Sequence, residues 1–200
     1  MKSVAILSKK GGVGKTTLSH LLAIGGVWNN KQMALLHTDD REPIACDRPY
    51  AYFDCRKDKT LQETANRIVS SGQDGLMIID SGGNRTKTDA WIAKSVNLVL
   101  MPLTLSAEDV KETLLHAKEL KDAGAEVQYL INQMPAASSL SAYDNDLIDR
   151  LNSSDFFTIP KVKAARMLLD DDHKGFKTPT TAVNNAARHF YRQLQSRLEL

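Results

Sequence analysis

The chain has 200 residues, 42% of them hydrophobic and 25% charged, with a formal net charge of +2. That make-up describes a single domain over 1–200 that buries about 70% of its unfolded surface; no apolar run reaches the roughly 18 residues of a membrane span. Met1-Lys-Ser-Val-Ala-Ile-Leu7 turns glycine-rich too soon for a signal peptide, so a cytoplasmic location is expected. The charge is uneven: residues 161–200 carry 8 Lys and Arg against 4 Asp and Glu, a basic end suited to a polyanion.

Val4 to Leu7 is a short apolar run of the kind a buried parallel strand needs, and Thr16 to Ile24 reads as a helix. Between them Gly11, Gly12 and Gly14 let the backbone turn so that several N–H groups converge at the positive end of that helix, a cradle for phosphate. Lys15 then reaches the β- and γ-phosphates, and the Thr16 hydroxyl is placed for a bridging magnesium ion. A loop that only connected two elements would have no use for Lys15-Thr16. Lys9 stands where the pattern G-x-x-x-x-G-K-[ST] requires glycine; the segment fits K-G-G-x-G-K-[ST], led by Lys10. On Lys10-Gly-Gly-Val-Gly-Lys-Thr-Thr17 the sequence resembles the ParA/MinD family of P-loop ATPases, and within it the small plasmid-partition, ParF-like proteins. The resemblance implies that Gly11, Gly12, Val13, Gly14, Lys15, Thr16 and Thr17 hold ATP with Mg2+. It also implies that Lys15 acts in catalysis and that Lys10 reaches across a nucleotide-sandwich dimer to the phosphates of a second copy.

Gln32 to His37 reads as the second strand and delivers Thr38-Asp39-Asp40 to its carboxyl end, where ligands sit in open α/β sheets. The family's Asp-x-Asp-Pro-Gln run aligns its second aspartate with Asp40. The resemblance therefore gives Asp40 the attacking water and a place at the metal, while Thr38 and Arg41-Glu42 depart from the pattern; a carboxylate that caps the next loop is the alternative. From Arg41 to Lys59 no periodicity shows, and an irregular switch, partner surface or simple connection is expected. Its Cys46 and Cys55 lack metal or redox-pair spacing. Thr60-Leu-Gln-Glu63 has capping-box spacing and predicts a helix start, with Leu61, Ala65, Ile68 and Val69 as its apolar stripe. Gly75 to Asp80 is an apolar strand ending in an acid, followed by Ser81-Gly82-Gly83-Asn84, the form of a Walker B segment. Asp80 there accepts from a magnesium-bound water or from Thr16, and Gly82 and Gly83 let the backbone approach or release a γ-phosphate.

Val96 to Pro102 is a further buried strand; Ser106 with Asp109 signals a helix start and Gly124 its end. Glu126 to Asn132 forms the next strand. The resemblance lets Asn132 bond the adenine, while the residue alone is equally suited to capping a turn. A polar helix over Ser141 to Leu151 and a short strand Phe156 to Ile159 follow. Ile159-Pro160 resembles a family segment bordering the base and opening a DNA-contacting region, here Lys161, Lys163 and Arg166, extended by Lys174 and Lys177. A solvated helix face, its field partly cancelled by Asp170, Asp171 and Asp172, is the other reading. From Thr181, Val183, Ala187, Phe190, Tyr191, Leu194 and Leu198 give a stripe suited to covering a sheet, and no richer than that requires.

Together these elements predict an α/β fold, a doubly wound, mainly parallel sheet of about six to eight strands with helices on both faces. The resemblance implies an ATPase that forms an ATP-dependent homodimer, binds DNA non-specifically and partitions or positions DNA through slow hydrolysis. A centromere-binding or adaptor protein would stimulate that hydrolysis, and the protein would associate with a bacterial nucleoid. With the phosphate loop near residue 9, no N-terminal DNA-reading domain is expected. A MinD-like membrane-cycling ATPase and an ATP-binding scaffold with little hydrolysis are the alternatives.

Overall fold

A computed structural model describes residues 1–44, 47–82, 86–151, 155–170 and 179–199. Cys46, Gly83, Asn84, Asp171, Asp172, Lys174 and Lys177 lie outside these. Among the described residues seven strands form one sheet in the order β3-β2-β4-β1-β5-β6-β7. They are β1 (Lys2–Ile6), β2 (Gln32–His37), β3 (Ala51–Asp54), β4 (Gly75–Asp80), β5 (Leu98–Leu103), β6 (Val127–Met134) and β7 (Phe157–Pro160). Every pairing is parallel. Parallel strands need crossover connections, which place helices on both faces and bury the sheet twice over; β4 and β5 are accordingly buried at every position.

Alternation along the strands divides the core in two. Val4, Ile6, Leu35, Ile78 and Leu100 face α1 (Lys15–Val27) and the C-terminal helix. Ala5, Leu7, Leu36, Ile79 and Val99 face α2 (Asp58–Ser70), α3 (Thr86–Ser95), α4 (Ala107–Asp122) and α5 (Ala142–Arg150). The C-terminal helix, α6 (Thr181–Leu198), buries Val183, Ala187, Phe190, Tyr191 and Leu194 against α1 and the sheet. Val183, Phe190 and Leu194 each contribute about 1.5–3 kcal/mol, so the stripe is committed to the core, as the sequence suggests. No helix of the described residues is long and apolar enough to cross a membrane.

The expected boundaries shift in four places. β3 lies inside the stretch that showed no periodicity: its four residues sit at the sheet edge, the middle two half-buried and the ends exposed, too short to give a pattern. α3 was not anticipated, because it is only ten residues long and its stripe is weak. α2 begins at Asp58 and not at Thr60; Lys57 is its N-cap and no side chain caps it, so the Thr60/Glu63 spacing is fortuitous. Asp58, the acid in its first turn, supplies favourable charge there. Lys163–Leu169 forms a 3-10 helix that leaves Lys163 and Arg166 exposed. The Ser106 cap holds: its side chain accepts from the Asp109 N–H.

α1 runs through Gly25 and Gly26 and ends at Val27. A Cβ at Gly25 would lie 2.2 Å from the Ala187 carbonyl oxygen, so the glycine is what lets the α6 backbone approach. At Gly26 the clash would be with the Met33 sulfur at 2.1 Å, the movable end of a flexible side chain. Gly25→Ala is therefore expected to lower the urea-unfolding free energy by about 1–3 kcal/mol, with a smaller loss for Gly26→Ala. Equal losses would contradict the packing described.

Candidate functional site

β1 lies between β4 and β5, so the loop leaving its carboxyl end opens at the middle of the sheet, where the chain's direction of travel across the sheet reverses. In that loop Gly12 has φ 79° and Gly14 φ 92°, left-handed values that side-chain-bearing residues rarely adopt. Gly14 is the N-cap of α1. The first N–H groups of α1 have no carbonyl partners within the helix, which leaves an anion-binding end facing the loop.

Lys15 follows at once, 9% exposed, its Nζ donating to the Lys10 carbonyl oxygen at 3.2 Å. Desolvation lowers its pKa, opposed by the carboxylates of Asp80, Asp39 and Asp89. Lys10 pairs with Glu108 Oε2 at 2.9 Å and with Asp109 at the start of α4, and Lys9 with Glu119 Oε2 at 2.5 Å. The lysine expected to reach a second copy is thus held by its own chain.

Asp80 ends β4 with 1% exposure. Its Oδ1 lies 3.0 Å from Ser19 Oγ, a hydroxyl also 2.9 Å from the Lys15 carbonyl oxygen. Sequence reasoning gave Asp80 a magnesium-bound water or Thr16 as its donor; the side-chain donor in the structure is Ser19, one helical turn further along α1 on the buried side. Oδ2 has no hydrogen-bond partner and faces His37 Nδ1 at 3.6 Å. Burial disfavours the charged His37 ring, but Asp80 and the Arg41 carbonyl outweigh it and hold the imidazole above its ordinary pKa. Thr38, where the family pattern has an aspartate, donates through Oγ1 to the Asp80 carbonyl oxygen at 2.9 Å.

Asp40 is exposed and lines a separate depression of about 420 Å³ with Asp54, Arg56, Lys57 and Thr60. Asp39, which the sequence left as a neighbour, is the member of the pair whose field acts on Lys15. Gly82 packs so closely on the loop after β2 that a Cβ would sit 2.8 Å from Asp39 Cα. Ser81 Oγ donates to Asp89 Oδ1 at 2.6 Å and ties the turn after β4 to α3.

Asn132 spends its amide locally: Nδ2 donates to the Val13 carbonyl oxygen at 2.8 Å, and Oδ1 accepts from Gln133 N–H at 2.9 Å. A register shift in β6 between Asn132 and Met134, with Gln133 at φ 57°, accompanies this contact. Beside it a cleft of about 270 Å³ runs from Gly12, Gly14 and Thr17 to Pro160. Lys161, Lys163 and Arg166 line the same cleft, so the residues expected on a DNA face border the space next to the phosphate loop.

Sequence reasoning missed a buried seam behind His37. His20 on α1 is fully buried, its Nδ1 2.5 Å from the Tyr50 hydroxyl. Tyr52 lies tilted against both His20 and His37, at ring separations of 5.7 and 6.0 Å, and carries the Arg48 guanidinium 4.2 Å above it. The one available signal was a histidine closing the otherwise apolar run of β2.

The sequence matches no family model, and no curated protein sequence matches it. Solved structures do match. MinD cell division protein from Aquifex aeolicus superposes with a TM-score of 0.75 at 16% identity, over 98% of each chain. A ParA family ATPase from Chlorobium tepidum TLS gives 0.70 at 11% identity, over 96% of this chain and 98% of that one. An McdA variant in complex with ATP, from Cyanothece, gives 0.63 at 14% identity, over 100% and 97%. The fold is that of the MinD and ParA ATPases.

Desolvation, then the charges of Arg48 and His37, push the His20 pKa down to about 3. The unfolded chain protonates this ring near 6.5, so its contribution to stability is complete above that pH and is lost as pH falls towards 3, by about 1.4 kcal/mol per unit. Between pH 6.5 and 5 the urea midpoint should fall more steeply for the wild type than for His20→Gln; parallel profiles would contradict a neutral buried ring.

Proposed function

We propose that this chain is an ATPase of the ParA and MinD kind, which forms an ATP-dependent sandwich dimer and binds DNA non-specifically. Slow hydrolysis, stimulated by a centromere-binding or adaptor protein, would release it and so position or partition DNA. One observation carries the nucleotide part. The loop Lys10-Gly-Gly-Val-Gly-Lys15 opens at the centre of a parallel sheet onto the start of α1, with the buried Asp80 carboxylate on the neighbouring strand.

The residues fit a triphosphate and its magnesium ion. Gly11 to Gly14 offer backbone N–H groups, and the buried Lys15 supplies charge where carboxylates already oppose its neutral form. Thr16 and the unpartnered Asp80 Oδ2 are the groups that would hold the ion or its waters. When bound, the ion neutralises charge that builds up between the β- and γ-phosphates. Asn132 shapes the loop through Val13, and Pro160 with the adjoining cleft is left to receive the base. Asp40 would have to swing inward to orient water, as part of the loop movement that ATP binding drives.

A second reading, an ATP-binding scaffold with little turnover, draws on that same placement: Asp40 is exposed and Thr38 is engaged with Asp80. ATP turnover and duplex-DNA anisotropy separate the two readings. An ATPase shows magnesium-dependent turnover that Lys15→Ala abolishes and Asp40→Ala lowers at least tenfold (about 1.4 kcal/mol or more), whereas a scaffold binds ATP without turnover. DNA binding should need ATP, and replacing Lys161, Lys163 and Arg166 by alanine should reduce the log–log salt slope by about 2–3. If that triple variant loses ATP affinity and keeps its DNA affinity, the three residues serve the nucleotide cleft and the DNA assignment fails.

A further inference from the structure

Within this nucleotide reading, we propose that His37 is a positioning residue that couples the Asp80 carboxylate to the loop bearing Asp39 and Asp40. His37 is the last residue of β2 and stands in register with Asp80, the last residue of β4. Both side chains are almost fully buried, at 4% and 1% exposure. His37 Nε2 lies 3.0 Å from the Arg41 carbonyl oxygen. A carbonyl oxygen can only accept, so that nitrogen carries the proton, and the ring orientation is fixed from the loop side.

The other ring nitrogen then points at Asp80. Nδ1 and Oδ2 face each other at 3.6 Å, and neither has a hydrogen-bond partner. Oδ1 is already held from α1 by Ser19, so His37 stands against the one oxygen still able to change partner. The ring therefore limits how the carboxylate turns towards an ion or its water. Anything that shifts the Arg41 carbonyl shifts the ring with it.

The far end of the loop rests on the same stack. Tyr52 lies against His37, Arg48 lies over Tyr52, and Arg48 Nη1 donates to the Ile44 carbonyl oxygen at 2.8 Å. Movement of Arg41, or of Arg48 through Tyr52, is thus conveyed to the carboxylate through one imidazole. Outer partners that orient a metal-binding carboxylate change metal affinity by about 10–100-fold when removed, which sets the expected size of the effect.

The test measures affinity for a fluorescent ADP analogue with magnesium and with EDTA, and hydrogen exchange of the 38–44 amides in both conditions. His37→Leu, His37→Asn and His37→Gln are compared with the wild type. The amide of Asn can replace Nδ1 and that of Gln can replace Nε2, so each restores one half of the link. His37→Leu should bind the analogue in EDTA within about twofold of wild type, lose about tenfold of the gain that magnesium confers, and lose magnesium-induced protection at 38–44. His37→Asn should recover the affinity gain without the protection. His37→Gln, which keeps the bond to the loop, should recover neither the full gain nor its coupling to protection. Wild-type magnesium gain and wild-type protection in His37→Leu would overturn the proposal. If His37→Leu does not fold, wild-type behaviour of both the Asn and Gln variants overturns it equally. Failure of the wild type to bind the analogue in either condition would instead remove the nucleotide reading on which the proposal rests.

Discussion

A carboxylate buried at the end of a central strand must be supported from several sides at once, and Asp80 sets that demand here. Leaving such a charge in low dielectric without partners costs several kcal/mol. Ser19 from α1 meets one oxygen, and Thr38 from the end of β2 meets the backbone of the same residue. His37 stands by the second oxygen. These contacts require α1, β2 and β4 to hold fixed positions about one point, which the parallel register of β1, β2 and β4 supplies. The phosphate loop inherits its place from this arrangement, because the helix that presents Ser19 to Asp80 is the helix whose first turn ends the loop.

The loop in turn organises what surrounds it. Gly14 can come within reach of Asn132 only because it lacks a Cβ, which would lie 2.6 Å from the Asn132 amide nitrogen. That contact places β6 and the segment after β7 beside the loop, and the cleft between them is where the basic residues 161–166 converge. The basic residues therefore border the phosphate loop, joined to it through Pro160 and the 3-10 turn that follows it.

Much of this could be read from the chain. Short, largely apolar runs gave six of the seven strands, four of them with polar or acidic residues at their carboxyl ends, and Lys10 to Thr17 gave the loop, because both signals are continuous in sequence. β3 and α3 escaped: one is a short edge strand and the other a weakly patterned helix. The side-chain partners escaped for a different reason. Ser19, His37 and Asp89 belong to three separate elements, and only register and helix phase bring them to Asp80 and Ser81. Asn132 was read as a base contact or a turn cap; its bond to Val13, 119 residues away, shows in no local pattern. Asp40 was aligned with the family's second aspartate; its exposure on the loop after β2 is a property of loop conformation that no strand pattern encodes.

Lys10 bears most directly on whether the loop is half of a shared site. It sits on Glu108 and Asp109 of its own chain, an arrangement that a second copy's phosphates would have to displace. Sedimentation velocity of the wild type with ATP and magnesium, against ADP and against Lys10→Ala with ATP, measures that exchange. The sandwich-dimer mechanism predicts a species of twice the 22.1 kDa chain mass with ATP alone, and monomer in the other two cases. A mass that stays at one chain with ATP, or a Lys10→Ala protein that dimerises as the wild type does, would contradict it.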